Sequence, residues 1–282
     1  MAYSFETIHT ELKGKVLYAT IENPPINLID QFFVRDLISL FDELDADQDG
    51  VRVVVFRSAD PDFFINHVDV LHITEYTAEA ARSGGPYDVN LGGLFRRLSE
   101  LGQVTITVLE GRARAAGSEF ALATDMRFGS KERAILGQPE VGSGRYPGAG
   151  AVQHVTRLVG RGNAFQVILA GDDWDATEAE RIGLINKAIP DAELLGYVEN
   201  VATRIAGFSR RSVQLAKRRI NSIALPPKED TQIDGNLFAV LRSDPEVGKR
   251  LESVMRRGFQ TRSRAELEYG AVLAEYEEGP SE

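Results

Sequence analysis

The stretch from 104 to 126 limits the fold more than any other part of the chain. VTITVLEG (104–111) is a β-branched, apolar run and reads as a buried strand. GRARAAGSEFALATD follows, with Ala115-Ala116-Gly117 leading into Ser118, Glu119 and the apolar residues Phe120, Ala121, Ala123 and Met126. A chain that leaves a strand, passes through residues with almost no side chain and sets a carboxylate at the head of an apolar helix belongs to an α/β protein. At such a junction the first backbone N–H groups of the helix have no intrahelical partner and sit at the positive end of its dipole. They can bind an anion, or an oxyanion developing on a carbonyl, with Glu119 within reach of the same molecule. The plainer alternative is close helix–sheet packing with a glutamate that favours a first turn.

The rest of the chain alternates in the same way. SFETIHTEL and KVLYATIEN read as a hairpin joined at Lys13-Gly14, and NPPIN (23–27) as a rigid loop. Phe33, Leu37, Leu40, Phe41 and Leu44 recur at helical spacing behind Asp30, a suitable N-cap. VRVVVFRSA (51–59) has the uniform apolarity of a parallel strand, and DPDFFINHVDVLHI reads as a loop entering a short helix. Residues 75–90, with Gly84-Gly85-Pro86, read as a polar surface loop, 91–101 as a helix, and MRFGS and AILG as short strands. The glycine-rich GSGRYPGAG (142–150) precedes another helix. From 160 onward the pattern is helical apart from LINKAI (184–189), with Thr177 and Glu180 spaced as a capping box and a helix at 263–276 before the acidic tail EYEEGPSE. The division that follows is a core over 1–205 and a helical subdomain over 206–282.

Glu140, after Gly137-Gln138-Pro139, lies one helix and two short strands beyond Glu119, a path that can return the chain to its starting neighbourhood. Two carboxylates in one pocket divide acid and base roles when their surroundings separate their pKa values. The alternative for Glu140 is a loop carboxylate capping a glycine-rich turn.

Composition removes several classes. The 282 residues contain no cysteine, so disulfides, thiolate metal sites and cysteine nucleophiles are excluded, and a cytoplasmic location is expected. A net charge of −10 disfavours nucleic acid and anionic membranes as partners. No apolar run reaches the roughly 18–20 residues of a membrane span, and the N-terminus has no signal-peptide pattern. The basic clusters at 96–97, 210–211, 217–219 and 256–257 read as solvated helix faces or as one phosphate contact. Ser118 lacks a G-x-S-x-G elbow, GSGRYPGAG lacks the G-K-[ST] ending of a P-loop, and His67, Asp69 and His72 are too loosely spaced to indicate a metal site.

Five motifs in order then resemble the crotonase superfamily, the enoyl-CoA hydratase/isomerase family: NPPINLI, VRVVVFRSADPDFFINHVD, GRARAAGSEFALATDMRF, LGQPEVGSGRYPGAGAVQHVTRLVG and GDDWDATEAERIGLINKAIP. The resemblance implies a spiral of ββα turns with a C-terminal helical region that builds homotrimers, often paired into hexamers. It implies an acyl-coenzyme A thioester substrate and no metal or redox cofactor. It implies syn hydration of a 2-enoyl thioester, with Glu119 activating water toward C3 and Glu140 delivering a proton to C2. It assigns the oxyanion N–H groups to Asn66 and Ala116, and puts Asn27, His67, Asp69, Gly117, Pro147 and Gly148 beside the substrate. The chain departs from the family in its bulky Ile65-Asn66-His67-Val68-Asp69 loop, in Ala115-Ala116-Gly117 for three glycines, in Gly102-Gln103 for Lys-Pro, and in lacking the C-terminal basic motif. Bulk at Asn66-His67 motivates double-bond isomerisation as an alternative, and a non-catalytic scaffold is a third reading.

Overall fold

The computed structural model describes residues 3, 5–47, 50–83 and 90–275. Gly84-Gly85-Pro86 and all but the first residue of the acidic tail lie outside them. The strands are β1 (Ile8–Lys13), β2 (Val16–Ile21), β3 (Val53–Ser58), β4 (Phe63–Ile65), β5 (Val104–Leu109), β6 (Arg112–Arg114), β7 (Met126–Ser130), β8 (Ile135–Gly137), β9 (Asp173–Asp175) and β10 (Lys187–Ile189). The helices of the body are α1 (Gln31–Ala46), α2 (Ile73–Ala80), α3 (Leu91–Glu100), α4 (Ala116–Ala123), α5 (Ala151–Phe165), α6 (Ala176–Ile182) and α7 (Asp191–Ala206). Then come α8 (Arg210–Ala224), α9 (Lys228–Arg242), α10 (Pro245–Arg256), α11 (Arg264–Leu267) and α12 (Tyr269–Ala274).

Three successive turns each send one strand into a six-stranded sheet, order β1-β2-β3-β5-β7-β10, and the next into a four-stranded sheet, order β4-β6-β8-β9. Helices follow each pair: α2 and α3 after β3-β4, α4 after β5-β6, and α5 after β7-β8. This is the ββα spiral that the family resemblance implies. The β1-β2 hairpin and β8-β9 are antiparallel, and the other pairings are parallel. Buried on both faces, β5 is uniformly apolar or threonine, as its sequence predicts. Asp30 caps α1 by accepting from the Phe33 N–H at 2.8 Å.

Several local expectations change. β4, β6 and β9 fall in segments that read as loop or helix, because three residues show no periodicity and acquire their conformation from the neighbouring strand. Residues 75–80 are helical, with Tyr76 and Ala80 buried under the loop's polar exterior. α6 is capped by Asp175, whose side chain accepts from the Glu178 N–H at 2.9 Å, so Thr177 and Glu180 form no capping box. Glu180 instead accepts from the Ala188 N–H. The helix expected at 263–276 is interrupted at Glu268 into α11 and α12. Arg97 is no solvated basic residue: it is buried and forks onto Asp42 and Asp45, both at 2.7 Å.

The C-terminal helices share apolar clusters with the body. Val70 packs with Val254, Phe259 and Tyr269, and Leu267 packs against Ile26, Leu28 and Phe63. Arg114 of β6, fully buried, pairs with Asp173 of β9 at 2.6 and 2.7 Å and also donates to the Glu266 carbonyl. Among the described residues no helix is long and apolar enough to cross a membrane.

Candidate active site

Phe120 anchors the helix that carries Glu119. Its ring meets Phe33, Phe56, Phe64 and Phe95 with centroids between 5.2 and 6.4 Å apart. Such aromatic pairs contribute roughly 0.5–1.5 kcal/mol each beyond area burial, so the head of α4 is held from beneath. Gly117 permits the close approach: a Cβ there would lie 1.8 Å from the Ile65 carbonyl oxygen of β4. Gly117 therefore packs α4 against β4 and takes no part in the wall of the cavity described next. Ala115 carries the turn at φ 47°, a conformation that favours glycine and costs alanine roughly 1–3 kcal/mol.

A cavity of ≈ 350 Å³ opens in front of α4. Both glutamates line it, with Ala115, Ala116, Val68, His67, Gly148 and Ala149. Glu119 Oε1 accepts from the Ala149 and Ala151 N–H groups at 2.8 and 3.0 Å, where the glycine-rich loop enters α5. Glu140 has a different environment. The Gln138 amide, oriented so that its oxygen accepts from Ser118 Oγ at 2.9 Å, donates to the two Glu140 oxygens at 3.2 and 3.1 Å. Burial pushes the Glu119 carboxyl up to about 7, against the opposing pull of its backbone donors. Burial, reinforced by the charge of Glu119, pushes Glu140 well above the ordinary carboxylate range. Near neutral pH the pair can therefore hold one proton on Glu140 and a carboxylate at Glu119.

The oxyanion donors need one correction. The Asn66 N–H is occupied, donating to the Asn27 carbonyl at 3.3 Å, and Asn66 is fully buried outside the cavity wall. The next loop residues form a parallel bridge: the Ile29 N–H donates to the His67 carbonyl and the Asp69 N–H to the Ile29 carbonyl, both at 2.9 Å. In that pattern the intervening Val68 turns its own N–H to the opposite side. Val68 lines the cavity, and among the described residues its N–H has no hydrogen-bond partner. The Ala116 N–H, in the first turn of α4, also has no partner among the described residues.

Asn27 and Asp69, expected beside the substrate, support the walls instead. The Asn27 amide donates to Ser58 Oγ at 2.8 Å and to the Phe64 carbonyl at 3.0 Å. Asp69 accepts from Gln260 and pairs with His72, while His67 turns away to Glu266, so the three candidate ligands do not converge on one point. Pro147 lies buried between the wall residues Tyr146 and Gly148. Sequence motifs did not indicate Tyr76, Asn90, Arg145, Tyr146, Phe238, Arg242 or Tyr269, which also line the cavity. Arg145 and Tyr146 were discoverable from their place in GSGRYPGAG. Phe238, Arg242 and Tyr269 sit on C-terminal helices that carry no motif. Tyr146 donates to Asp234 at 2.8 Å, and burial followed by that carboxylate raises its phenol.

A spiral of ββα turns enclosing two buried glutamates and a pair of open backbone donors is the arrangement of an acyl-thioester enzyme. The chain belongs to the enoyl-CoA hydratase/isomerase family, whose model matches residues 11–254. It is 34% identical to the short-chain-enoyl-CoA hydratase of Clostridium acetobutylicum over 75% of this chain and 79% of that one. It is 32% identical to the crotonyl-CoA hydratase of Syntrophomonas wolfei over 78% of this chain and 83% of that one. A crystal structure from Streptomyces avermitilis, provisionally named an enoyl-CoA hydratase, superposes with a TM-score of 0.96 at 51% identity, covering 99% of this chain and 100% of that one.

Proposed function

We propose that this protein hydrates a 2-enoyl-coenzyme A thioester by syn addition of water. The observation that carries the proposal is the pair of glutamates in one buried cavity, with surroundings that favour a proton on Glu140 and an anion at Glu119. Glu119 takes a proton from the water that attacks C3, and Glu140 gives one to C2. Val68 and Ala116 donate to the thioester oxygen as it gains charge, a contribution of roughly 3–4 kcal/mol per donor in comparable sites. The addition is redox-neutral, so this reading needs no cofactor beyond the coenzyme A of the substrate.

The isomerase alternative rested on the bulk of Asn66 and His67. Both side chains are hydrogen-bonded to Glu266, although His67 still lines the cavity, and the pair of glutamates favours hydration. We also read the chain as assembling into a homotrimer or hexamer, supported by the exposed Leu215, Ile220 and Ile223 along α8. Loss of the conjugated enoyl-thioester absorbance tests the hydratase reading with crotonyl-CoA. Wild type should consume it, and Glu140→Gln should lower kcat by roughly 10²–10⁴. Tight binding of the thioester without any loss of absorbance would overturn it.

A further inference from the structure

The loop that presents Val68 is gripped from the far end of the chain. Asn66 Nδ2 donates to Glu266 Oε2 at 2.6 Å, and His67 Nε2 lies 2.9 Å from Glu266 Oε1. The Val70 N–H donates to Gln260 Oε1 at 2.8 Å, and Gln260 Nε2 donates to Asp69 Oδ1 at 2.9 Å. Glu266 also fixes Gln260 itself, accepting its N–H at 2.6 Å. Residues on both sides of Val68 are thus tied to residues 260 and 266, while among the described residues the Val68 N–H has no partner.

The charge arrangement makes this tie specific. Glu266 is fully buried, and a carboxylate at that depth costs several kcal/mol without compensation. Burial raises its pKa, but the His67 charge and the donors from His67, Gln260 and Asn66 outweigh that and hold it below the ordinary range. Both ring nitrogens of His67 face oxygen acceptors, Nδ1 the Val68 carbonyl at 2.7 Å and Nε2 the Glu266 carboxylate. The ring stacks on Phe259 with centroids 4.4 Å apart and planes 10° apart. With one nitrogen on the carbonyl of Val68 and the other on Glu266, the ring links that peptide segment to the C-terminal helices.

Resting on the thioester reading above, we infer that Glu266 and Gln260 are positioning residues for the oxyanion site. They hold loop 66–70 so that the Val68 N–H meets the thioester oxygen, and the His67 ring, held between Glu266 and the Val68 carbonyl, is the loop's half of that clamp. The bulk that separates this loop from the small-residue loops it resembles is the material of the tie.

The test uses a push–pull thioester, 4-(dimethylamino)cinnamoyl-coenzyme A, whose absorption moves to the red when strong donors polarise its carbonyl. Wild type should bind it with a red shift. Glu266→Gln keeps the size and removes the charge. It should stay folded by circular dichroism and lose most of the red shift. Its kcat with crotonyl-CoA should fall about 100-fold, as expected for misplacement near 1 Å, with KM nearly unchanged. Glu266→Asp should recover part of both signals. A folded Glu266→Gln with the full red shift and wild-type kcat overturns the clamp. If Glu266→Gln fails to fold, Gln260→Ala leaves the Glu266 contacts to Asn66 and His67 intact and frees only Asp69 and Val70, and the same two results decide. A wild type that binds the probe without any shift refutes the thioester reading itself, and the clamp with it.

Discussion

Glu119→Gln should make the protein more stable while destroying its activity, and the gain should depend on pH. In the folded chain burial raises the Glu119 carboxyl to about 7 from 4.5. One pKa unit corresponds to about 1.4 kcal/mol, so the displacement amounts to roughly 3 kcal/mol. The sign follows from linkage. A carboxyl whose folded pKa is raised favours the native state fully below about 4.5, and that contribution disappears as pH rises through about 7. Wild type therefore loses roughly 3 kcal/mol between pH 4.5 and pH 8 from this one group. Glutamine does not titrate, and its amide oxygen can still accept from the Ala149 and Ala151 N–H groups that face Oε1. At pH 8 the variant should exceed wild type by roughly 3 kcal/mol in urea unfolding, and near pH 4.5 the two curves should converge. Turnover should fall by roughly 10²–10⁴ with loss of the base. A gain of equal size at both pH values would assign it to packing, and no gain at pH 8 would refute the charge argument.

Two other expectations follow from the same geometry. The pH profile of kcat/KM should be bell-shaped, rising through about 7 as Glu119 ionises and falling at higher pH as Glu140 releases its proton; a profile flat across neutrality would contradict the assignment. Gly117→Ala drives a Cβ to 1.8 Å from a backbone oxygen and should cost at least the roughly 3 kcal/mol at the upper end of overpacking, whereas Gly196→Ala, on α7 with nothing within 4 Å, should gain up to about 1 kcal/mol; denaturant titrations of the two variants check the contrast.

The elements with local signals were legible. The apolar periodicity behind Asp30 marked α1, the β-branched runs marked β3 and β5, and small residues before a carboxylate marked the head of α4. The two glutamates were legible for the same reason: each sits in a motif whose backbone conformation the neighbouring residues dictate. Asn66 was misassigned because sequence gives the residue type and not the direction of its N–H, which is set by a bridge to Ile29 on another segment. The cavity's far wall was illegible. Glu266 lies 200 positions from the Asn66 it binds, inside a short helix with no distinguishing pattern. A buried charge of this kind is specified by tertiary partners alone.

Arg114 has a consequence for how the protein is made. Its guanidinium is enclosed by Asp173, 59 positions later, and by the Glu266 carbonyl, 152 positions later. A ribosome delivers the residue long before either partner, and an unpaired guanidinium cannot enter the interior at acceptable cost. Consolidation of β6 and the turn at Ala115 therefore waits for nearly the whole chain. Truncating the C-terminal helices would therefore strip a fully buried guanidinium, in the middle of the chain, of the Glu266 carbonyl it donates to.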